Sequence, residues 1–172
     1  MKDVLILDGY NVINSIPELF EMQLADFQGA RDKLIEMMAE YQSYRGLDVI
    51  IVFDAYKTLR SRETVEMIKG VQVVFTKEKM TADHFIEKKI QELVDRRNVM
   101  VVTNDWTEQL MVLGGGASRI SVRELQLDLG NTGRGIREAA GKLVSPKEDI
   151  AGRLDRKTLE KLENFRRKKG SG

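Results

Sequence analysis

Near its start the chain has the sequence Val4-Leu5-Ile6-Leu7-Asp8-Gly9-Tyr10-Asn11. Four apolar residues that end at an aspartate and a glycine are typical of a buried parallel strand followed by a turn. Open α/β sheets bind their ligands beyond the carboxyl ends of the strands, so Asp8 is placed for chemistry. A strand-end aspartate can equally cap the turn or helix that follows. The choice between a chemical and a capping role for Asp8 depends on whether other carboxylates reach the same edge of the sheet.

The apolar pattern recurs along the chain. Residues 49–53, 71–75 and 99–103 predict three further strands, and residues 119–122 predict a short fifth one. Helices are predicted between them at residues 25–45, 81–97 and 106–113 and from residue 124, and Gly46 is placed as a helix C-terminal cap. This alternation predicts an α/β domain with a mostly parallel sheet and helices on both of its faces.

The remaining segments carry weaker patterns. Residues 12–17 are expected to form a turn that leads into a short helix, residues 56–62 a loop, and residues 63–69 a short helix. The glycine-rich residues 130–135 suggest a loop or hinge. Beyond it, Ser145-Pro146 has the pattern of a helix start and Asp155 could cap a last helix. We therefore expect a main domain at residues 1–130 and a helical C-terminal extension at 131–172, which packs on that domain or trails from it.

Composition narrows the class of protein. Hydrophobic residues make up 42% of the chain and charged residues 32%, as in globular proteins. No apolar run approaches the roughly 20 residues of a membrane helix, and the first strand leaves no room for a signal peptide, so a cytoplasmic protein is expected. The absence of cysteine excludes disulfides and thiolate metal sites. The basic stretch 153–169 could hold phosphates or form a solvated helix face.

Several carboxylates are predicted to meet at one sheet edge. Asp8 and Asp54 end strands, Asp105 follows another, and Asp83 opens the helix after residues 71–75, with Glu87 one turn further on. Such carboxylates repel one another unless a cation lies among them. Oxygen ligands without cysteine suit Mg²⁺ or Mn²⁺.

Each of these residues also has a purely structural interpretation. Asp83 interacts favourably with the helix dipole, Asp105 and Glu108 resemble a capping pair, and Asp54 could simply end its strand. Asn11 could be a neutral ligand or a turn residue, and His84 is expected on the surface. Four aspartates placed independently on one edge favour the metal site over these interpretations.

Candidate RNA contacts lie near the same edge. Lys57, Arg60, Arg62 and Lys77 could bind a phosphate backbone, although cationic loops are common. Trp106 and Tyr10 could stack on bases or serve in packing.

Together these motifs resemble a known family. The resemblance rests on Asp8-Gly9-Tyr10-Asn11, Val52-Phe53-Asp54-Ala55, Thr81-Ala82-Asp83 and Val102-Thr103-Asn104-Asp105. This set is similar to the YacP-type NYN-domain proteins, a group of PIN-like nucleases, and it covers about residues 1–130. Asn104 departs from the family, in which serine is commoner, but the carboxylate of Asp105 is kept.

The resemblance implies a Rossmann-like, three-layer (PIN/NYN) fold whose acidic pocket uses divalent metal to hydrolyse RNA. The implied acidic positions are Asp8, Asp54, Asp83 and Asp105, with Asn11 beside them. Within the family the chain is similar to a ribosome-associated endoribonuclease that cuts messenger RNA at the A site, which implies messenger RNA and the ribosome as partners.

The chemistry assigns roles as a hypothesis. Asp8 and Asp83 would bind metal, and Asp83 or Asp105 would orient the attacking water. Asp54, Glu87 and Asn11 would complete the metal shell. Two alternatives stay open. One is a non-catalytic RNA or ribosome adaptor that uses the basic C-terminal helices. The other is a receiver-type phosphoacceptor, which expects two adjacent acidic residues after the first strand where this chain has one.

Overall fold

A computed structural model describes residues 1–55 and 61–144 of the chain. The described parts contain six strands and six helices: β1 Val4–Asp8, α1 Gly9–Ser15, α2 Pro17–Ala25, α3 Phe27–Arg45, β2 Asp48–Phe53, β3 Thr64–Ile68, β4 Val71–Phe75, α4 Ala82–Leu93, β5 Val99–Val102, α5 Trp106–Gly114, β6 Ser118–Ile120 and α6 Val122–Val144. None of the helices in these parts is long and apolar enough to cross a membrane.

The strands form one sheet in the order β3-β4-β2-β1-β5-β6. All pairs are parallel except β3 with β4, so the predicted mostly parallel sheet is confirmed. β1 lies between β2 and β5, and Asp8 is in register with Val52. The carboxyl ends of β2 and β5 therefore lie on either side of Asp8.

Alternate residues of β1 enter two different cores. Leu5 and Leu7 pack in one core with α1, α2, α3 and the start of α6. Val4 and Ile6 pack in the other with α4 and α5. These four side chains are fully buried, and each such burial contributes roughly 1.5–3 kcal/mol. The strand is thus held from both faces, as the three-layer expectation requires, and Asp8 is fixed at its end.

The helix predicted at residues 63–69 is wrong. This segment is β3, which forms a hairpin with β4. Lys69 and Gly70 connect the two strands with φ angles of 50° and 84°. Positive φ at both residues of a two-residue turn matches the right-handed twist of paired strands. The Lys-Gly turn, and not the polarity of the segment, decides its structure.

Two further local predictions can be compared with the structure. The turn predicted at residues 12–17 is partly wrong, because α1 runs from Gly9 to Ser15, but a bend at Ile16 does lead into the short helix α2, as expected. The predicted helix at 25–45 is confirmed as α3, which begins at Phe27 because Asp26 caps it: the Asp26 carboxylate accepts a hydrogen bond from the Gly29 amide at 2.8 Å. Gly46 has a φ of 67° and ends α3, so the predicted cap is confirmed.

The loop or hinge predicted at residues 130–135 is also wrong, since these residues lie within α6. Each glycine costs a helix about 1 kcal/mol relative to alanine. The helix persists because Val122 and Leu125 are buried in the core and Leu129 packs against it. Tertiary packing here overrides local propensity.

The chain divides into two units, Met1–Thr132 and Gly133–Gly172. The predicted helix starts at Ser145 and Asp155 fall outside the described residues. How the C-terminal extension is arranged stays a prediction.

Candidate active site

Three carboxylates meet beyond the carboxyl end of β1. Oxygens of Asp8, Asp83 and Glu108 all lie within 4.8 Å of one another. Asp8 ends the central strand, Asp83 lies in the first turn of α4, and Glu108 lies in the first turn of α5. Within the described parts of the chain, none of the three forms an ion pair with lysine or arginine. We call these three residues the acidic cluster.

Asp8 is held rigidly at the base of the acidic cluster. Its Oδ1 accepts a hydrogen bond from the Asn11 amide at 3.1 Å, so it also caps α1. Burial raises the pKa of Asp8 to about 6, and the charges of Asp83 and Asp54 add to this rise, while the Asn11 hydrogen bond opposes it. The capping and the metal-site interpretations of Asp8 are therefore compatible.

Gly9 allows the close approach that places Asp8. A Cβ atom at Gly9 would lie 2.3 Å from the ring of Phe53. Any side chain there would have to displace a fully buried aromatic ring. The glycine is needed because α1 starts directly over the end of β2.

Glu108 is the most buried member of the cluster, with 2% of its surface exposed. Its Oε2 accepts a short hydrogen bond from the Thr103 hydroxyl. Its Oε1 is buried and, among the described residues, has no hydrogen-bond partner. Burial raises the pKa of Glu108 to about 7, the Thr103 hydrogen bond lowers it, and the charges of Asp83 and Asp8 raise it further.

A divalent cation fits this arrangement. A buried polar atom without a partner costs about 1–3 kcal/mol, and more when it is charged. Among the described residues the three carboxylates form no ion pair with lysine or arginine, and one of their oxygens is unsatisfied, so they supply the hard oxygen ligands that Mg²⁺ and Mn²⁺ prefer. The residues that would hold the ion are Asp8, Asp83 and Glu108.

Asp83 is the most open member of the cluster. Partial burial raises the pKa of its carboxyl group, the charges of Asp105 and Asp54 add to the rise, and His84 opposes it. His84 itself is exposed, as expected, and its Nδ1 lies 2.8 Å from the hydroxyl of Thr81, the residue that caps α4. Asp83 is thus the carboxylate that solvent reaches most easily.

Asp54 and Asp105 lie around the cluster but outside the 4.8 Å group. The Oδ2 atom of Asp54 accepts a hydrogen bond from the Ala82 amide at 3.4 Å. Asp105 caps α5 by accepting from the amides of Thr107 and Glu108 at 2.8 and 3.1 Å. The capping interpretation of Asp105 is correct, and its charge nevertheless acts on Asp83 and Glu108.

Asn11 and Glu87, the other two predicted members of the metal shell, lie in different surroundings from each other. The Oδ1 atom of Asn11 accepts a 3.5 Å hydrogen bond from the Asn104 amide. Glu87 is exposed and lines a groove with Ile90 and Gly115. Four residues of helix advance about 6 Å along its axis, so Glu87 is displaced from the sheet edge at which Asp83 lies.

The predicted RNA contacts are only partly described. Arg62 and Lys77 are exposed, whereas Lys57 and Arg60 fall outside the described residues. Trp106 is 69% exposed at the start of α5. The ring of Tyr10 is buried against Phe53, with ring centroids 5.0 Å apart, which agrees with its packing interpretation.

Sequence reasoning missed Glu108 as a cluster residue and assigned it to helix capping with Asp105. The available signal was its position three residues after Asp105. Residues three apart lie on the same face of a helix, so Glu108 in the first turn of α5 faces the same sheet edge as Asp105. The sequence could not show that Glu108 would be buried there without a capping partner of its own.

Comparison with known proteins identifies the family. A sequence profile described as the YacP-like NYN domain matches residues 5–167, nearly the whole chain. The chain belongs to the YacP-like NYN domain family. The resemblance drawn from its motifs is confirmed.

This YacP-like NYN chain has relatives in Bacillus subtilis. It is 42% identical over 166 residues to the uncharacterized protein YacP of strain 168, covering 96% of this chain and 97% of that protein. The crystal structure of Rae1 (YacP) matches with a TM-score of 0.73 at 42% identity, over 96% of this chain and 95% of that one. A mutant of Rae1 (YacP) matches with a TM-score of 0.72 at 43% identity, over 83% and 84%. The family and the acidic cluster together indicate a nuclease-type function on RNA.

Proposed function

We propose that this YacP-like NYN protein is a metal-dependent endoribonuclease that hydrolyses RNA phosphodiester bonds at the acidic cluster. One observation supports this above the others. Three carboxylates converge without an ion-pair partner among the described residues, and the most buried of them presents an unsatisfied oxygen. A site that is unfavourable without a cation is what metal-assisted hydrolysis requires.

Mg²⁺ or Mn²⁺ bound there would activate water and stabilise the charge that develops on the phosphate. Asp8 would anchor the site, because its strand is buried on both faces. Glu108 would be held in place by the Thr103 hydroxyl. Asp105 would position Glu108 by capping α5, and Asp54 and Asn11 would contribute through bound water.

Asp83 is the residue proposed to orient the attacking water. It is the most open of the three carboxylates, so water and substrate can reach it. Asp105 is less suited to this role, because its Oδ1 already accepts two backbone hydrogen bonds.

The proposed substrate is messenger RNA on the ribosome, cut at the A site. This part rests on the family resemblance of the motifs, and with it a cytoplasmic location. Exposed Arg62 and Lys77 are proposed to contact RNA phosphates, together with Lys57 and Arg60.

The test is cleavage of a defined messenger RNA, free and on translating ribosomes, with mapping of the cut ends. Wild-type protein with Mg²⁺ or Mn²⁺ should cut, and EDTA, Asp8→Asn and Asp83→Asn should each abolish cutting. Cuts restricted to ribosome-bound RNA, at the A-site codon, would support the ribosomal part. Full activity in EDTA or in both variants would overturn the assignment. Ribosome binding by wild type without any cutting would favour the adaptor.

A further inference from the structure

Arg31 is a cation held beside the acidic edge of the sheet. It lies in α3, is half-buried, and its Nη1 donates to the Tyr10 hydroxyl at 3.4 Å. Its guanidinium lies 5.3 Å from the ring centroid of Phe27 and 5.6 Å from that of Phe75. Two aromatic faces and a phenol therefore fix its position.

The surroundings of Arg31 place it at the carboxyl end of the strands. Phe75 is the last residue of β4, and its ring stacks on Phe53, the last residue of β2, with centroids 5.5 Å apart. Tyr10 follows Asp8 by two residues in α1. Arg31 thus lies on the β2–β4 side of Asp8.

Arg31 nevertheless pairs with no carboxylate among the described residues. Its Nη2 donates to the neutral amide of Gln28, and its Nε is buried and has no hydrogen-bond partner among the described residues. A half-buried guanidinium without a counter-ion is costly, even when aromatic rings contact it. In the described part of the chain the acidic cluster does not supply this counter-ion, and the cluster itself forms no ion pair there with lysine or arginine.

We infer that Arg31 binds a phosphate group of the RNA, next to the phosphate that is cleaved at the acidic cluster. This inference rests on the proposed function. The planar guanidinium can donate two parallel hydrogen bonds to phosphate oxygens, and its fixed position reduces the entropy lost on binding. Because Arg31 forms no ion pair with Asp8 or Glu108, it is available for an anion that arrives with the substrate.

A purely structural role makes a different prediction. If Arg31 served only to hold Tyr10, Phe27 and Phe75 together, its loss would lower the thermal stability and leave the ionic part of RNA binding unchanged. The salt dependence of binding separates the two roles, because each phosphate contact releases counter-ions.

The experiment measures binding of a fluorescent 12-nucleotide single-stranded RNA to full-length protein in an Asp8→Asn background, which prevents cleavage. Arg31→Met should weaken binding about 10-fold at low salt and reduce the slope of log Kd against log salt by about 0.7. Arg31→Lys should keep the slope. Arg45→Met is the matched control, because Arg45 ends the same helix and lies 5.9 Å from the ring of Tyr41. It should change neither affinity nor slope.

A slope for Arg31→Met equal to that of Arg45→Met would overturn the inference, whatever its melting temperature. Should Arg31→Met fail to fold, RNAs with one neutral methylphosphonate at successive positions decide the matter with folded protein. One position next to the cleaved bond should lose affinity with Arg31, and lose less with Arg31→Lys, because lysine makes one hydrogen bond where arginine can make two. The absence of any such loss next to the cleaved bond would contradict phosphate binding. If wild type cuts no RNA but the slope changes as expected, the proposed function fails and the phosphate site stands. If the protein cuts RNA in a metal-dependent way but the slope is unchanged, the proposed function stands and the phosphate site fails.

Discussion

Carboxylates at the two ends of the parallel sheet have opposite electrostatic surroundings. At the amino end, Asp48 begins β2 and forms an ion pair with Arg97, which also donates to the Lys2 carbonyl at 2.7 Å. At the carboxyl end, Asp8 and Glu108 lie together with Asp83, and the described residues offer the three no ion pair. A compensated charge supports the fold. An uncompensated cluster reduces stability and indicates a site that is completed by a ligand.

The largest expected effect is on RNA cleavage, which should depend on the carboxylates at the carboxyl end of the sheet and not on Asp48 at the amino end. Glu108→Gln should reduce RNA cleavage at least about 100-fold, because it removes a charged ligand from the cluster; second-sphere changes alone cost 10–100-fold. The measurement is the initial rate of RNA cleavage with saturating Mn²⁺. Asp48→Asn is the control and should cut at the wild-type rate. Equal activity of Glu108→Gln and Asp48→Asn would exclude Glu108 from the site.

The second expected effect concerns pH. The pKa values of Asp8 and Glu108 are raised to about 6 and about 7, so both carboxyl groups hold protons in mildly acidic solution when no metal is bound. Metal binding must release these protons, so Mn²⁺ affinity should rise about 10- to 30-fold between pH 6 and pH 8. Calorimetry in two buffers of different ionisation enthalpy measures both the affinity and the protons released. A pH-independent affinity would show that these carboxylates are not ligands.

The third expected effect tests the support of Glu108. The Thr103 hydroxyl donates to Glu108 and accepts from the Asp105 amide at 3.0 Å. Thr103→Val keeps the shape of the side chain but removes the hydroxyl from both the Glu108 carboxylate and the Asp105 amide. Mn²⁺ affinity should therefore fall about 10-fold at pH 7. Thr107→Val, on the exposed face at the start of α5, is the matched control and should bind Mn²⁺ as wild type does. Wild-type affinity in Thr103→Val would mean that the hydroxyl does not hold Glu108 in its binding position.

The smallest expected effect is on stability, and its sign differs between the two ends. Because the pKa of Asp8 is higher in the folded protein than its ordinary value, the folded state binds more protons, and this contribution to stability falls as pH rises from about 4 to 6. In EDTA at pH 8, Asp8→Asn should therefore raise the unfolding free energy by about 1–2 kcal/mol, or the Tm by roughly 2–8 °C. Asparagine keeps the helix cap.

Asp48→Asn should lower the Tm under the same conditions by about 1–3 °C, because a partly exposed ion pair contributes less than about 1 kcal/mol. Thermal unfolding followed by circular dichroism measures both variants. The gain for Asp8→Asn should shrink at pH 5, where Asp8 is largely protonated in the folded wild type. A lower Tm for Asp8→Asn at pH 8 would contradict the view that its charge is uncompensated.

Much of the fold was predictable from local patterns. The apolar runs of β1, β2, β4 and β5 are buried on both faces, and such strands have a strong sequence signature. β3 was not predictable in this way, because it is an edge strand with Val65 and Met67 exposed. The loop predicted at the glycines of α6 was wrong for a related reason, because local propensity carries no information on the core that stabilises a helix.

The candidate site was predictable to a similar degree. Asp8 and Asp83 follow from the ends of apolar strands and from the motifs of the family. Glu108 does not, because a glutamate three residues into a helix has the same sequence pattern whether it caps the helix or enters a pocket. Glu87 shows the opposite difficulty. It lies one helical turn beyond Asp83, as predicted, but that turn places it away from the sheet edge.

The sequence by itself determined the parallel sheet, the edge at which its aspartates gather and the family, because strand hydrophobicity and strand-end residues are local properties. Only the tertiary structure decided which carboxylates meet. β1 lies between β2 and β5, and the starts of α4 and α5 bring Asp83 and Glu108 to Asp8. Distance, burial and the lack of a counter-ion among the described residues depend on the packing of segments that are 75 and 100 residues away from Asp8 along the chain. Those three quantities distinguish a structural aspartate such as Asp48 from the aspartate at the centre of the candidate site.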